Sequence, residues 1–492
     1  MNRPVHIFQT WPFYLFLLSV LFVLHGFREN FDFVPVGDAL MLTGVYLIAS
    51  VVLLTGFWLL FRHWRRAALL AFVIMAWHFF FGSMHDWLKE IFPGSFITKY
   101  TVLVPGFLIL LVVLIYRMKK KKPLLRRTTY YLNFLLILLI ALDIVLLFPT
   151  IPRIKKNQQA GFPADMVRCD SCDKPDIYFI IPDEYAGNHE LKEIFKFDNH
   201  LFTSQLSQRG FHTFPYSYSN YNYTPFSIAS ALNMQYLNLK STNRQPDLAY
   251  CYEKIRDNRL VNFLEAHDYE FYNYSVFNFK GQPGRVNETF LPVKTRLISW
   301  QTFLSRMDRD LRFNLVTRFK SKAEIRKQAY STRENNENII SFTANKAAEK
   351  NTRPKFVFTY LRMPHYPYYF DKDGKEYPFE MITEGNQGNQ QQYVEYLQYS
   401  NKRLLWLVDQ ILNSSANPPV IVLMGDHGFR HFTKPVDLKY HFLNLMSIHL
   451  PAKNYNSLND TFTCVNLFRT ILNREFGQQL PLLKDSTSFL VE

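Results

Sequence analysis

Acidic residues are missing from two short stretches where their absence is informative. Residues 62–66 and 117–127 hold Arg62, Arg65, Arg66, Arg117, Lys119 to Lys122, Arg126 and Arg127 without one aspartate or glutamate. Both stretches lie between long apolar runs, so their charge reads as a topology signal. Cysteine is scarce too: the four, Cys169, Cys172, Cys251 and Cys464, all follow residue 168. A zinc site built from paired cysteines is disfavoured, because Cys251 and Cys464 are too far apart in sequence to complete one begun by Cys169 and Cys172. An even number in a region placed outside the cytoplasm favours disulfides, and the C-D-S-C pair reads as a local staple. Long apolar runs are lacking after residue 150, which separates an apolar N-terminal region from a water-soluble remainder.

Five apolar segments fill that N-terminal region: Trp11 to Phe27, Ala39 to Phe61, Ala67 to Met84, Thr101 to Tyr116 and Tyr130 to Phe148. Each approaches the ~20 residues a helix needs to cross a bilayer. The first has little positive charge before it beyond Arg3, no small-residue cleavage pattern after it, and four more runs behind it, so it reads as a span and not a cleaved signal. The acid-free loops go to the cytoplasm with the N-terminus, and everything after the fifth span goes outside. The first 149 residues account for +8 of the net charge of +15. Most of the basicity is thus positional, and nucleic acid is not an expected partner. Asp143 in the fifth segment, with His25 and His78, is either functional or turned to the interface.

We expect a transmembrane domain over 1–150, a linker over 151–175 and a catalytic domain over 176–492, an α/β domain with a mostly parallel central sheet. Asp176 to Ile181, Phe356 to Leu361 and Val420 to Met424 are continuous β-rich runs, the mark of strands buried on both faces. The first ends in Asp183-Glu184, the second leads to His365 between Pro364 and Pro367, and the third ends in Gly425-Asp426-His427-Gly428. Open α/β sheets place ligands at the carboxyl ends of their strands. An adjacent oxygen and nitrogen ligand between glycines suits zinc or manganese. His431 and His441 follow as further candidates.

Helices are expected from Asn188 to Arg209, from Gln391 to Leu412 and from Asp460 to Leu472, and Asn444 to Leu450 reads as a strand. In Tyr223-Thr224-Pro225-Phe226-Ser227, Thr224 reads as an N-cap and Pro225 as the first helical residue. A hydroxyl there faces the positive end of a helix dipole, which suits an alkoxide or phosphate; the alternative is an ordinary capping threonine. Arg285 to Phe313, with Trp300, Phe303 and many basic residues, reads as a membrane-bordering segment that guides a lipid or as a solvated insertion.

Asp183, Thr224, His365 and Asp426-His427 make chemical sense together, as ligands of a divalent cation and a hydroxyl that it activates. With five spans, an external domain, a strand ending in an acid, T-P-F-S-I-A-S, an H-x-P loop and G-D-H-G, the chain resembles the membrane-bound sulfatase-like branch of the alkaline phosphatase superfamily. That branch includes lipoteichoic acid synthases and lipid A phosphoethanolamine transferases. The resemblance implies Asp183, Asp426 and His427 as metal ligands, Thr224 as nucleophile and ligand, and His365 as a substrate-phosphate contact; His441, by its place in sequence alone, is a weaker substrate-binding candidate. Where those transferases have one Glu this chain has Asp183 followed by Glu184, so either acid could coordinate. One metal ion is implied, and the later histidines do not fix a second. Thr224-Pro225-Phe226 lacks the Cys or Ser of C/S-x-P-x-R from which formylglycine is made, which disfavours arylsulfatase chemistry.

The activity so implied is a membrane-anchored, metal-dependent phosphotransferase outside the cytoplasm, in the plasma or inner membrane. It would move a head group from a membrane phospholipid donor to a glycan or lipid acceptor through a phosphothreonine. A hydrolase with the same site and a catalytically silent membrane scaffold are the rivals. The first differs only in passing the group to water; the second predicts no bound metal.

Overall fold

The computed structural model describes residues 8–30, 34–92, 94–121, 124–148, 162–169, 172–244, 247–286, 295–310, 322–350, 352–382, 386–456 and 458–491. Most of the expected linker, residues 151–161, and the ends of the expected membrane-bordering segment lie outside them. The chain forms two compact units: Met1–Lys156 with Thr289–Lys320, and Asn157–Glu288 with Ser321–Glu492.

The first unit contains helices α1 (Tyr14–Glu29), α2 (Val36–Phe61), α3 (Trp64–Ile91), α4 (Tyr100–Lys121) and α5 (Arg126–Leu147). Four of them, α2 to α5, are long and apolar enough to cross a membrane. The expected count was five; α1 has 16 residues, which at 1.5 Å per residue falls short of the ~30 Å hydrocarbon layer. Leu40, Met41, Ile48, Val52, Ile109 and Val112 are exposed, an apolar surface of the kind a membrane-crossing helix presents. Polar anchors tie α1 to α5: the Tyr14 N–H donates to Asn133 Oδ1 at 2.7 Å, and Arg28 Nη1 lies 3.0 Å from Asp143 Oδ1, with His25 Nδ1 at 3.2 Å. Asp143 is therefore a paired carboxylate inside the unit.

The segment after Glu288 returns to this unit, as short helices Thr295–Ser299 and Phe303–Asp310. Two glycines receive it. A Cβ on Gly26 would stand 2.7 Å from Ile298 Cγ2, and one on Gly82 would collide with Gln301, whose Cα would be 2.9 Å away. The Gly82 N–H donates to the Gln301 carbonyl at 2.8 Å, Arg306 pairs with Asp86, and the Phe303 ring meets Phe81 edge-on at 4.9 Å. Of the two readings of this segment, the solvated insertion does not hold for residues 295–310.

The second unit is built on one sheet with strands β1 (Ile177–Pro182), β2 (His212–Thr213), β4 (Glu270–Tyr274), β5 (Lys355–Leu361), β6 (Val420–Met424) and β7 (Met446–His449), ordered β2-β7-β6-β1-β5-β4. Short strands β3 (Tyr216–Tyr218) and β8 (Thr461–Thr463) pair separately. The main sheet is mixed and not mostly parallel: the β4–β5, β5–β1 and β1–β6 pairings are parallel, while β6–β7 and β7–β2 are antiparallel. Apolar runs without alternation demand cover on both faces, and every residue of β1, β5 and β6 is buried. Tyr178 and Ile180 pack on one side with Leu404, Leu407 and Val408 of helix Gln390–Ser414. On the other, Phe179 meets Phe468 of helix Leu467–Glu475 edge-on at 4.9 Å.

Several local expectations change. Residues 188–209 form two helices, Asn188–Glu193 and His200–Gln208, interrupted near Lys196, whose φ is 54°. The stretch expected as a helix from Asp460 begins as β8. Cys169 is bonded to Cys172, while Cys251 and Cys464 are free and buried.

Because the Gly82 notch is filled by backbone, Gly82→Val should destabilise the detergent-solubilised protein by about 1–3 kcal/mol, read as a lower thermal unfolding midpoint. Gly56→Ala, where a Cβ meets nothing within 4 Å, should leave that midpoint unchanged.

Candidate metal centre

Parallel pairing brings three strand ends to one edge of the sheet. Pro182 of β1 aligns with Leu361 of β5, and Ile180 with Leu423 of β6, so the residues just after each strand emerge together. Asp183 and Glu184 follow β1, Arg362 and His365 follow β5, and Asp426 and His427 follow β6. The Asp183 N–H donates to the Leu361 carbonyl at 2.8 Å, and the Glu184 N–H to Asp426 Oδ1 at 2.9 Å.

Two adjoining groups of possible ligands result. Asp183, Asp426 and His427 present ligand atoms within 4.8 Å of one another, all buried; Glu184, His365 and His431 do the same, with His431 partly exposed. His427 Nδ1 lies 2.7 Å from the Gly428 carbonyl and His365 Nδ1 2.6 Å from that of Tyr366. An imidazole that donates from Nδ1 to a carbonyl keeps a lone pair on Nε2. His427 Nε2 faces Asp426 Oδ2 at 3.4 Å and Asp183 Oδ1 at 3.8 Å; His365 Nε2 faces Glu184 Oε2 at 3.7 Å. Burial pushes His427 down to about 3 and His365 well below its ordinary range, so neither ring supplies a proton to its carboxylate at neutral pH.

The carboxylates are as poorly served. Asp183 Oδ1, Asp426 Oδ2 and Glu184 Oε2 are buried without a hydrogen-bond partner among the described residues. Burial, and then the charge of Asp426, pushes Asp183 up to about 7; burial pushes Glu184 up to about 8 against the opposing pull of Arg430. Orphaned carboxylate oxygens facing imidazole lone pairs make a donor set, and O/N ligation fits a divalent metal. Partners outside the set orient it: Tyr360 donates its hydroxyl to Asp183 Oδ2 at 2.7 Å. Tyr393 donates to the Glu184 carbonyl at 2.8 Å and accepts from the Ala186 N–H at 3.0 Å, holding a turn in which Glu184 has φ 59°.

Thr224 Oγ1 lies 3.3 Å from His427 Nε2. Thr224 is the first residue of helix Thr224–Asn233; the N-cap is Tyr223, which makes no side-chain cap bond. The threonine is therefore not occupied as a cap, and its hydroxyl turns to the cluster. The N–H groups of Phe226 and Ser227 already donate to the Tyr223 carbonyl, each at 3.1 Å, so these two are not open to an anion as the sequence suggested. Behind this loop the C-terminal residues form a rail. The Ser488 N–H donates to the Asn220 carbonyl at 2.9 Å, the Leu490 N–H to Asn222 Oδ1 at 2.8 Å and the Arg244 N–H to the Val491 carbonyl at 3.2 Å.

Thus Asp183, Glu184, Thr224, His365, Asp426 and His427 gather at one sheet edge. His441 joins neither ligand group; its ring lies 5.2 Å from those of Phe432 and Phe489. His431, five residues after Asp426, takes the nearer place. Arg362, Tyr360 and Arg430 escaped the sequence reading; for Arg430 the available signal was its position between G-D-H-G and His431.

No family model and no curated protein matches the sequence. Among solved structures the chain is similar to the C-terminal periplasmic domain of EptC from Escherichia coli in complex with Zn, at 13% identity and TM-score 0.43, covering 68% of this chain and 94% of that one. It is similar to the integral membrane protein lipooligosaccharide phosphoethanolamine transferase A (EptA) from Neisseria meningitidis, at 11% identity and TM-score 0.40, covering 94% and 95%. It is also similar to a putative sulfatase from Bacteroides thetaiotaomicron, at 14% identity and TM-score 0.39, covering 64% and 74%. At these scores the likeness is one of outline.

Carboxyl groups raised to about 7 and 8 must lose protons when a cation binds. Zinc binding should release protons below that range, tighten as pH rises and level off above about 8, checked by calorimetry in buffers of different ionisation enthalpy. The metal-free fold should lose stability over the same window, since the unfolded carboxyls ionise first and the folded state binds the extra protons.

Proposed function

We propose that the protein is a membrane-anchored, metal-dependent phosphotransferase whose nucleophile is the Thr224 hydroxyl. The observation that carries this reading is the Thr224 oxygen beside an orphaned donor set of two aspartates and an imidazole, all buried. Asp183, Asp426, His427 and Thr224 would hold one divalent ion, zinc or manganese, with Glu184 an alternative oxygen ligand; when bound, the ion lowers the hydroxyl pKa and offsets phosphoryl charge.

The chain's own groups supply the rest. Thr224 Oγ1 forms a bond to the donor phosphorus while the bond from phosphorus to the lipid oxygen breaks. The hydroxyl proton passes to the Asp426 carboxylate, whose buried Oδ2 has no hydrogen-bond partner among the described residues and whose pKa burial raises. The leaving lipid oxygen takes a proton from solvent. In the second half an acceptor hydroxyl gives its proton to solvent and attacks phosphorus. The bond to Thr224 breaks, and its oxygen recovers the proton from Asp426. His365 contacts the phosphoryl group from the second ligand cluster.

The donor is a membrane phospholipid and the acceptor a glycan or another lipid. The four helices α2 to α5, long and apolar enough to cross a membrane, anchor the protein, with the catalytic unit outside the cytoplasm, consistent with acid-free loops at Arg62–Arg66 and Arg117–Arg127. A hydrolase of the same mechanism would use water in the second half.

Incubation with phospholipid should add a phosphoryl-containing mass to Thr224 of the wild type and none to Thr224→Ala. Turnover of the variant should fall on the order of a thousandfold or more. Equal behaviour of the two proteins excludes the mechanism. Product analysis with and without candidate acceptors separates transferase from hydrolase.

A further inference from the structure

We propose that Asn444 is a positioning residue that sets the span between the Thr224 hydroxyl and the ligands that follow β6, so that the threonine oxygen can share one cation with Asp426 and His427. The inference rests on the phosphotransfer reading, in which Thr224 ligates the ion, and names what in the chain brings the hydroxyl to it.

The parallel register that aligns Asp183, His365 and Asp426 does not extend to Thr224. Helix Thr224–Asn233 is entered from β3, which pairs with β8 and lies outside the main sheet. A separate tie is therefore needed, and the segment Leu443 to Leu445, just before β7, supplies it. On one side the Gly187 N–H donates to the Leu443 carbonyl and the Leu445 N–H to the Tyr185 carbonyl, both at 3.1 Å, while the Gly425 N–H donates to the Leu445 carbonyl at 2.8 Å. On the other, the Asn444 N–H donates to the Ser217 carbonyl at 3.1 Å and the Ser219 N–H to the Phe442 carbonyl at 2.8 Å. The Asn444 side chain, 2% exposed, joins the two sides directly. Its Oδ1 accepts from the Ser217 hydroxyl at 2.8 Å, and its Nδ2 donates to the Gly425 carbonyl and, at 3.2 Å, to Cys464 Sγ. A carbonyl can only accept, so the amide has one orientation here. Gly425 immediately precedes Asp426, and its bare Cα permits the approach: a Cβ there would stand 2.6 Å from the Tyr185 carbonyl oxygen and 3.3 Å from Asn444 Cβ. An aspartate in place of Asn444 would set an oxygen against the Gly425 carbonyl, and an alanine would leave that carbonyl and the Ser217 hydroxyl buried without this partner. Asn444 thus acts through the backbone that carries a ligand and the strand that leads to the nucleophile.

The test is a double-mutant cycle on zinc affinity, measured by competition with a chromophoric chelator on the full chain in detergent, zinc ions being the only ligand added. Asn444→Ala should weaken zinc binding about tenfold when Thr224 is present and less than about threefold in the Thr224→Ala background, where no hydroxyl is left for the strut to place. A role confined to holding the fold lowers affinity by the same factor in both backgrounds. That result, or no loss in the single variant, overturns the assignment. Ser217→Ala, which cuts the strut at its other end, should repeat the pattern and add nothing on top of Asn444→Ala; an additive loss overturns it too. Should Asn444→Ala lack a cooperative thermal transition, the cycle of Ser217→Ala with Thr224→Ala decides alone. Coupling in the cycle without a phospholipid adduct on wild-type Thr224 removes the phosphotransfer reading and keeps the strut. An adduct together with an additive cycle removes the strut alone.

Discussion

Three carboxylates sealed from water and facing neutral imidazoles are the constraint on which the second unit depends. Left to itself such a set would push its acids towards the protonated form, as burial does to Asp183, Glu184 and Asp426. The chain holds them together regardless, by a parallel register that brings three strands out at one edge and by hydroxyl and backbone donors from Tyr360, Tyr393 and the Glu184 N–H. The free energy of a bound cation would offset that concentration of charge. The groups least comfortable in the fold are those that the proposed reaction would use.

How much of this could be read from the residues depended on the range of the signal. Ile177 to Ile181, Phe356 to Leu361 and Val420 to Met424 are apolar without alternation, and a run of that kind has few places to go except the middle of a covered sheet. The acids and imidazoles just past those runs were placed at the same edge by the general behaviour of parallel strands, and the geometry gathers them there. Strand direction and the edge strand β2 were less legible, although Asn444 to Leu450 was read as a strand. The antiparallel β7 and β2 give the sheet its mixed character, and β2, two residues long, carries no periodicity to detect. Thr224 was misplaced by one position because Thr-Pro resembles a cap followed by a first turn; the backbone begins its helix one residue earlier, at the threonine itself.

Contacts that depend on three dimensions escaped altogether. Arg430 and Arg244 are 186 positions apart, and nothing local marks them as sharing the ring of Tyr223. His431 and His441 were of equal standing as residues, but the fold turns one to Glu184 and the other to Phe432 and Phe489. The return of residues 295–310 to the apolar unit was visible only as a cluster of aromatic and basic residues, because its determinants are two absent side chains, at Gly26 and Gly82, whose meaning appears when Ile298 and Gln301 fill the gaps.

The rail formed by Ser488, Leu490 and Val491 has a practical side. These residues hydrogen-bond to the loops that carry Tyr223 and Arg244, so the tail functions as a splint for a region more than 240 positions upstream. Proteolytic trimming there would loosen the surroundings of Thr224, the proposed nucleophile, while sparing the side chains of the candidate site. A preparation nicked near Lys484 could then look intact by spectroscopy and still be inert, and an affinity handle is better fused at the opposite terminus.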